Sequence, residues 1–328
     1  MKRAAWILTA LFGLAFLGAA LLNADLIAKS RRALASGAFQ EKPAAETARY
    51  HLVVILPDTD DSFFKGLLEG IRDSASVVDC VVQVFRYPNS FPQEAEQYFE
   101  IALRSKVDGL VMFTPRNDRL GERIRKAALA GVAFVPVGTD PPAGSSVGFI
   151  GCSSLQQGFE GGKRICAELG ASARIGVILP ASEAVAPQDE PLYRGVLSAL
   201  RPYPNAQIVS VARARAGILS GEETASAMLR GHPEINALFC SSSRETLGAA
   251  QVVIDLNRVG RILIIGADET PEIQHYVDKG VIAASIVRDS RRIGQEAVLS
   301  FSRLKEHLPA LPAVEAGFTV RTAKGSPR

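Results

Sequence analysis

The sequence is poor in the residues and patterns that catalysis and metal binding most often use. Its four histidines and four cysteines are scattered and show neither metal-site nor redox spacing. Gly151-Cys-Ser-Ser lacks the flanking glycines of a nucleophile elbow, and Gly161-Gly-Lys-Arg lies inside a helical stretch rather than in a phosphate loop. We therefore predict that the chain is not an enzyme and that it uses no metal and no cofactor.

Cysteine is also too sparse for a disulfide framework, whatever compartment the protein occupies. We predict that Cys80, Cys152, Cys166 and Cys240 are buried, unpaired thiols. Because Cys152 and Cys240 both end apolar runs, a disulfide between these two near a junction of lobes is the alternative.

A large charge of one sign is absent as well. The formal net charge is only +3, and basic and acidic side chains are mixed along the chain. Proteins that bind nucleic acid carry a basic patch or a strongly basic balance. We therefore exclude nucleic acid as a partner.

One long apolar run is present, at the N-terminus. Ala4 to Leu22 contains no charged residue and follows Lys2 and Arg3. A bilayer core needs about 20 apolar residues, whereas cleavable signals have an apolar core of about 7 to 15 and a small-x-small cleavage site. We predict an uncleaved transmembrane anchor; a signal cleaved after Ala24 is the alternative.

The rest of the chain alternates short β-rich runs with amphipathic helical stretches, which is typical of βαβ units and parallel sheets. Runs such as Leu52-Val-Val-Ile-Leu lack polar alternation, so both faces of their sheet should be covered by helices. About 280 residues suit two lobes better than one domain. We predict an α/β fold with two doubly wound parallel-sheet lobes after an N-terminal transmembrane helix.

The predicted strands are His51 to Leu56, Val81 to Arg86, Gly109 to Phe113, Ala133 to Val137, Arg174 to Leu179, Gln207 to Val211, Ala237 to Cys240, Ile262 to Ile265, Val281 to Val287 and Phe318 to Arg321. The predicted helices are Phe64 to Ser76, Gln93 to Lys106, Leu120 to Ala130, Leu155 to Leu169, Pro191 to Leu200, Glu222 to Arg230, Glu245 to Leu256 and Ser290 to Leu308, with another starting near Pro271.

Six segments carry a family resemblance through their order and spacing. They are Asp61-Ser-Phe-Phe, Asp108-Gly-Leu-Val-Met-Phe, Gly131-Val-Ala-Phe-Val-Pro-Val-Gly, His232-Pro-Glu-Ile-Asn-Ala-Leu-Phe, Ile264-Ile-Gly-Ala-Asp-Glu-Thr-Pro and Gly280-Val-Ile-Ala-Ala-Ser-Ile. With them, residues 49–321 resemble the type I periplasmic binding proteins of the ribose and galactose class, whose fold is shared by the effector domains of lac-repressor-like regulators.

The resemblance implies two lobes that close on a small ligand by hinge motion. Three hinge crossings are expected near Cys152-Ser153, Arg288-Asp289 and Val314-Glu315. The expected organisation is an anchor (1–24), a juxtamembrane stalk (25–49), a first lobe (50–152 and 289–314), a second lobe (153–288 and 315–323) and a disordered tail (324–328).

In the first lobe, the resemblance assigns ligand binding to Asp61, Phe63 and Phe64, and to Thr139 or Asp140 after the fourth strand. Carboxylates accept charge-assisted hydrogen bonds from hydroxyl groups. An aromatic face covers the apolar side of a sugar ring. For one of the two phenylalanines, packing in the core is the alternative.

In the second lobe, the resemblance assigns ligand binding to Asp268 and to Arg288, twenty positions later. The alternative for Asp268 is a cap of the helix near Pro271, and the alternative for Arg288 is a structural charge. Glu190 and Ser242 complete the predicted site.

The chain departs from the family pattern at several of these positions. It has Gly138-Thr139 where an Asp-Arg pair is common, Glu190 where an arginine falls, Ala216 near a usual aromatic, and Ser242-Ser243 where the family has Asn-Asp. Buried ligand hydroxyls left unpaired cost about 1 to 3 kcal/mol each. Binding of simple pentoses and hexoses is therefore expected to be weakened or redirected.

We expect an extracytoplasmic solute-binding protein, anchored in the inner membrane and facing the periplasm or the cell exterior. It would present a small polar ligand, a sugar or sugar-like molecule, to an ABC permease. The alternatives are a ligand-sensing subunit of a two-component or chemotaxis system, whose partner is a membrane sensor kinase, and a degenerate binding protein with a structural role.

Overall fold

The computed structural model describes residues 48–59, 61–88, 93–114, 120–139, 149–180, 186–214, 219–308 and 314–323. The predicted anchor (1–24), nearly all of the predicted stalk (25–49), Asp140 and the predicted tail (324–328) lie outside these residues. None of the helices in the described ranges is long and apolar enough to cross a bilayer.

Strands and helices alternate along the described chain. The strands are β1 (Tyr50–Asp58), β2 (Cys80–Pro88), β3 (Gly109–Phe113), β4 (Ala133–Thr139), β5 (Ile150–Cys152), β6 (Arg174–Leu179), β7 (Gln207–Arg213), β8 (Ala237–Cys240), β9 (Leu263–Ala267), β10 (Ala284–Arg288), β11 (Val314–Glu315) and β12 (Phe318–Thr322). The helices are α1 (Ser62–Val77), α2 (Glu94–Arg104), α3 (Leu120–Leu129), α4 (Ser154–Leu169), α5 (Pro191–Ala199), α6 (Ser220–Gly231), α7 (Ser243–Asp255), α8 (Pro271–Asp278) and α9 (Ser290–Lys305).

The first sheet has the strand order β11-β5-β4-β3-β1-β2, and all of its strand pairs are parallel. Leu52, Val54 and Leu56 of β1 pack in a core with α1 and α9. Val53 and Ile55 pack on the opposite face, with α2 and α3. Helices therefore cover both faces of the sheet, which explains why β1 is apolar at every position in this run. We call this sheet with its four helices the first lobe.

The second sheet has the strand order β12-β10-β9-β8-β6-β7. Its cores pack against α6, α7 and α8 on one face and against α4 and α5 on the other. The predicted α/β fold with two doubly wound lobes is confirmed, with one antiparallel addition: β12 runs opposite to β10. It enters directly from the other sheet, without the crossover helix that a parallel neighbour requires. We call this sheet with its five helices the second lobe.

Within the described residues, the chain passes between the lobes at three places. Cys152 ends β5 and Ser154 begins α4, Arg288 ends β10 and Ser290 begins α9, and Glu315 is followed by β12 two residues later. The sequence did not predict β5 and β11 as strands, because three and two residues are too few to show a pattern.

The tenth strand begins three residues later than the apolar pattern predicted, at Ala284 instead of Val281. Val281 and Gly280 instead end α8 in a Schellman motif: their N–H groups donate to the carbonyls of Tyr276 at 2.9 Å and of Val277 at 3.0 Å. Gly280 has φ +71°, as this motif requires. The apolar side chain of Val281 thus belongs to a helix end.

Close contact between α1 and α9 brings their N-termini together near the second crossing. A Cβ atom added at Gly70 would lie 2.0 Å from the carbonyl oxygen of Arg291, and one added at Gly294 would lie 2.2 Å from that of Leu67. Glycine at both positions lets the helix backbones touch. Each larger residue would push α1, which begins at the site described below, away from α9.

The thiols of Cys80, Cys166 and Cys240 are free. Cys152 and Cys240 lie in cores of different lobes, so the alternative disulfide between them is not formed. Cys80 is only partly buried at the start of β2, whereas burial had been predicted for all four cysteines.

Candidate functional site

A groove of about 900 Å³ is lined by both lobes. Its first-lobe wall is the start of α1, and its second-lobe wall is formed by α7 and by the segment that leads from β9 into α8. Arg288 and Ser290, at the crossing from β10 to α9, also line it. Ligands of doubly wound sheets bind at the carboxyl ends of the strands, and this groove lies there. We call it the cleft.

Arg288 and Asp268 form a buried, bidentate ion pair in the cleft. Nε of Arg288 donates to Oδ1 of Asp268 at 2.8 Å, and Nη2 donates to Oδ2. The two side chains are only 10% and 4% exposed. Burial opposes the charged form of the guanidinium, but attraction by Asp268 and the hydrogen bonds to it outweigh burial and raise the pKa of Arg288. Arg288 therefore stays charged at any ordinary pH.

The backbone holds Asp268 in place as well. Its φ of +62° lies in the left-handed region, which aspartate tolerates better than most residues. Its N–H donates to the carbonyl of Ile286 at 3.0 Å, and its carbonyl accepts from Oγ of Ser285 at 2.6 Å. Thr270, and not Asp268, caps α8 by accepting from the N–H of Ile273 at 3.1 Å. The helix-cap alternative for Asp268 is therefore wrong.

Phe63 and Phe64 have different surroundings. The guanidinium carbon of Arg288 lies 4.2 Å from the ring centroid of Phe63, at cation–π distance, and Phe63 lines the cleft. The ring of Phe64 meets Phe113 edge to face, with centroids 4.8 Å apart, and is not among the residues that line the cleft. Both rings pack in the core of the first lobe, and of the two only Phe63 also lines the cleft.

Asp61 caps α1 and interacts with four other charged groups. Its Oδ1 accepts from the N–H of Phe63 at 2.9 Å. Burial raises the pKa of Asp61, and repulsion by Asp268 adds to the rise. Attraction by Arg288 and Arg244 opposes these two effects only in part. The ionised carboxylate of Asp61 is therefore disfavoured in the folded protein.

Arg244 joins the lobes directly. It lies in the first turn of α7, and its Nη2 donates to Oγ1 of Thr59 at 3.0 Å. Thr59 follows β1 in the first lobe, so this hydrogen bond links the two lobes. It can form only when the lobes lie close together.

Ser242 and Glu245 form a buried pair at the start of α7, where they are 8% and 4% exposed. Oγ of Ser242 donates to Oε2 of Glu245. Burial raises the pKa of Glu245; the bond from Ser242 opposes the rise, and repulsion by Asp61 adds to it. Ser242 thus has a partner within the chain, and its predicted contact with a ligand stays a prediction.

Three further residues of the predicted site are Glu190, Thr139 and Asp140. Glu190, at the start of α5, accepts from Nη2 of Arg213 at 2.5 Å and does not line the cleft. Thr139 ends β4, where it pairs with Cys152 of β5. Asp140 is outside the described residues. The ligand roles of these three residues stay predictions.

Sequence reasoning missed Arg244, Glu245 and Thr59. A local signal existed for Glu245, because Ser242-Ser243-Arg244-Glu245 has the Ser-x-x-Glu spacing of a capping box. No local pattern marks the other two, because their contact joins positions 185 residues apart.

Asp61→Asn is expected to stabilise the protein at neutral pH. Asparagine caps helices as well as aspartate does, and it removes a carboxylate whose ionisation opposes folding. A carboxyl group with a raised folded-state pKa contributes stability that is complete below its unfolded pKa and is lost as the pH rises through the folded value. The melting temperature of the variant should exceed that of the wild type by about 2 °C at pH 7 and match it below about pH 4.

Glu69→Gln is the matched control, because Glu69 is an exposed acid on the same helix. This substitution should change the stability by less than about 0.5 kcal/mol at either pH. A melting temperature for Asp61→Asn below that of the wild type at pH 7 would contradict our account of the charges in the cleft.

Comparison with known proteins supports the predicted family and fold. A family model described as the periplasmic binding protein domain matches residues 52–306. The D-allose-binding periplasmic protein of Escherichia coli (strain K12) is 22% identical over 249 residues, which cover 74% of this chain and 80% of that protein.

Two solved structures are similar in fold. GanP, a glucose-galactose binding protein from Geobacillus stearothermophilus, has a TM-score of 0.76 at 23% identity and covers 85% of this chain and 99% of its own. An ABC transporter solute binding protein from Burkholderia graminis C4D1M, in complex with D-arabinose, has a TM-score of 0.77 at 18% identity and covers 86% of this chain and 99% of its own.

The relatives are solute-binding proteins and not enzymes, so the prediction that this chain is not an enzyme is confirmed. The family model matches well over half of the chain. The chain therefore belongs to the periplasmic binding protein family.

Proposed function

We propose that the protein captures a small polar solute, sugar-like in its hydroxyl groups, in the cleft and presents it to an ABC transporter in the membrane. The observation that carries the proposal is the composition of the cleft walls. Asp61 and Phe63 of the first lobe and Arg244 and Arg288 of the second line one cavity of about 900 Å³. A solute in this cavity can contact both lobes at once.

Capture works by closure of the two lobes. The chain crosses between them at only a few described positions, such as Cys152-Ser153 and Arg288-Asp289, so small backbone rotations there can change the distance between the walls. A solute bound to both walls stabilises the closed form, because its contacts are complete only in that form. The bond from Arg244 to Thr59 adds to the stability of the closed form.

Asp61 is the group that we expect to accept hydrogen bonds from the solute. Its Oδ1 is used by the N–H of Phe63, so Oδ2 is the oxygen that a ligand hydroxyl would reach. Such a bond favours the ionised carboxylate, which burial otherwise disfavours. Binding should therefore be stronger at neutral than at acidic pH.

The relatives favour transport over the sensing alternative. Those compared above are named as a periplasmic sugar-binding protein, a glucose-galactose binding protein and an ABC transporter solute-binding protein. We carry that role to this chain and place its work outside the cytoplasm.

A screen of neutral sugars, modified sugars and nucleosides should find a solute that raises the melting temperature of the full chain. At a hundred times its Kd, a ligand adds about 2.7 kcal/mol of stability. Asp61→Asn should bind this solute about tenfold more weakly, because a hydrogen bond to a charged group is lost. Isothermal titration calorimetry measures both affinities.

The control for affinity is Glu168→Gln, because Glu168 is an exposed acid on α4 that does not line the cleft, and it should keep the affinity within about twofold of the wild type. If Asp61→Asn also stays within about twofold, Asp61 does not contact the solute. If no solute in the screen stabilises the protein, solute capture is wrong and the structural alternative gains support.

We extend the proposal to the apolar run from Ala4 to Leu22, which we expect to hold the protein at the membrane. The full chain expressed with its N-terminus intact should stay in the membrane fraction after an alkaline carbonate wash. Sequencing of that fraction should begin at Met1. A released protein whose sequence begins at Asp25 would contradict anchoring and support a cleaved signal.

A further inference from the structure

We propose that Arg288 occupies the part of the cleft where a ligand would otherwise meet Asp268 and Phe63, and that it thereby sets the ligand specificity of the cleft. The inference rests on the proposed function, since it assumes that the cleft binds a hydroxyl-rich solute. Arg288 is then a specificity-determining residue that lowers the affinity for neutral sugars, whereas a direct ligand contact would raise it.

The first observation is that Arg288 covers the carboxylate of Asp268. Both carboxylate oxygens accept from the guanidinium, through Nε at 2.8 Å and through Nη2. The side chain of Asp268 is 4% exposed, so too little of it faces the cleft for a ligand to touch. A ligand hydroxyl can reach Asp268 only if Arg288 moves.

The second observation is that the same guanidinium covers the ring face of Phe63. Its central carbon lies 4.2 Å from the ring centroid, which is the distance at which the apolar side of a sugar ring would also pack. Phe63 is 2% exposed. One side chain therefore blocks the aromatic face and the acceptor carboxylate together.

Displacing Arg288 is unfavourable for a neutral solute. The displaced guanidinium and the carboxylate of Asp268 would each lose a charged partner in a buried place, and hydroxyl groups replace such a partner poorly. Arg288 also carries only donors, so it offers a ligand N–H groups where Asp268 would offer acceptor oxygens. The cleft should therefore discriminate against simple neutral aldoses.

Arg288→Gln tests the inference, because the substitution should raise the affinity for neutral sugars and not lower it. The shorter, neutral side chain should uncover Asp268 and Phe63, so affinity for neutral aldopentoses and aldohexoses should rise at least tenfold (about 1.4 kcal/mol) over the wild type. Titration calorimetry of the full chain with D-ribose, D-allose and D-galactose measures the change. The matched control is Arg291→Gln, which removes an exposed arginine three positions later and should leave these affinities unchanged.

A second variant avoids an unpaired buried charge. Arg288→Gln combined with Asp268→Asn has no charge at either position, so it should fold even if Arg288→Gln alone does not. It should also bind neutral aldoses more tightly than the wild type does. In Arg288→Gln, which keeps the carboxylate of Asp268, millimolar methylguanidinium should compete with the aldose, because it can refill the place that the Arg288 guanidinium has left. The combined variant lacks that carboxylate, so methylguanidinium should not compete there.

The outcomes separate this inference from the proposed function. A gain in aldose affinity that methylguanidinium suppresses supports the inference. If the wild type binds an aldose and Arg288→Gln does not bind it, Arg288 is itself a ligand contact. The inference is then wrong, and the proposed function stands. A gain in Arg288→Gln that methylguanidinium does not affect, or no gain in either variant, also overturns the inference. If the wild type and both variants bind no solute at all, both proposals are wrong.

Discussion

The ion pair between Arg288 and Asp268 is the contact on which the arrangement of the cleft depends. Arg288 lies where the chain leaves the second lobe, and it touches Asp268 in that lobe and the ring of Phe63 in the first. Removing one partner of such a buried pair typically costs about 3 to 5 kcal/mol, because the other charge is left uncompensated. The charges in the cleft therefore depend on the backbone position of Arg288, which lies at the crossing from β10 to α9.

This pair also affects the charged groups near it. Asp268 repels Asp61, Asp61 repels Glu245, and burial disfavours the ionised form of both Asp61 and Glu245. Arg244 offsets part of this repulsion and also joins the lobes through Thr59. The cleft therefore contains an acid, Asp61, whose ionised form a polar solute could stabilise. Under the proposed function, burial and charge, more than shape alone, would make this cleft suit a hydroxyl-rich ligand.

Strands that are buried on both faces could be predicted from the sequence, because runs such as Leu52-Val-Val-Ile-Leu contain apolar residues at every position. Prediction failed where apolar residues serve another purpose: Val281 ends α8 in a Schellman motif and does not begin β10. The adjacent rings of Phe63 and Phe64 both meet Phe113, but only Phe63 lies under the guanidinium of Arg288, and no local pattern encodes that tertiary contact. The resemblance pointed to Asp268 and Arg288 as separate ligand contacts, but only the structure shows that they bind each other.

A double-mutant cycle on Arg288 and Asp268 tests the central claim most directly. The free energy of unfolding is measured by urea denaturation at pH 7 for the wild type, Arg288→Gln, Asp268→Asn and the combined variant. The account predicts a coupling energy of about 2 to 3 kcal/mol between the two positions, since each single change leaves a buried charge without its partner. A coupling energy below about 0.5 kcal/mol would mean that the two substitutions act independently and would contradict the account.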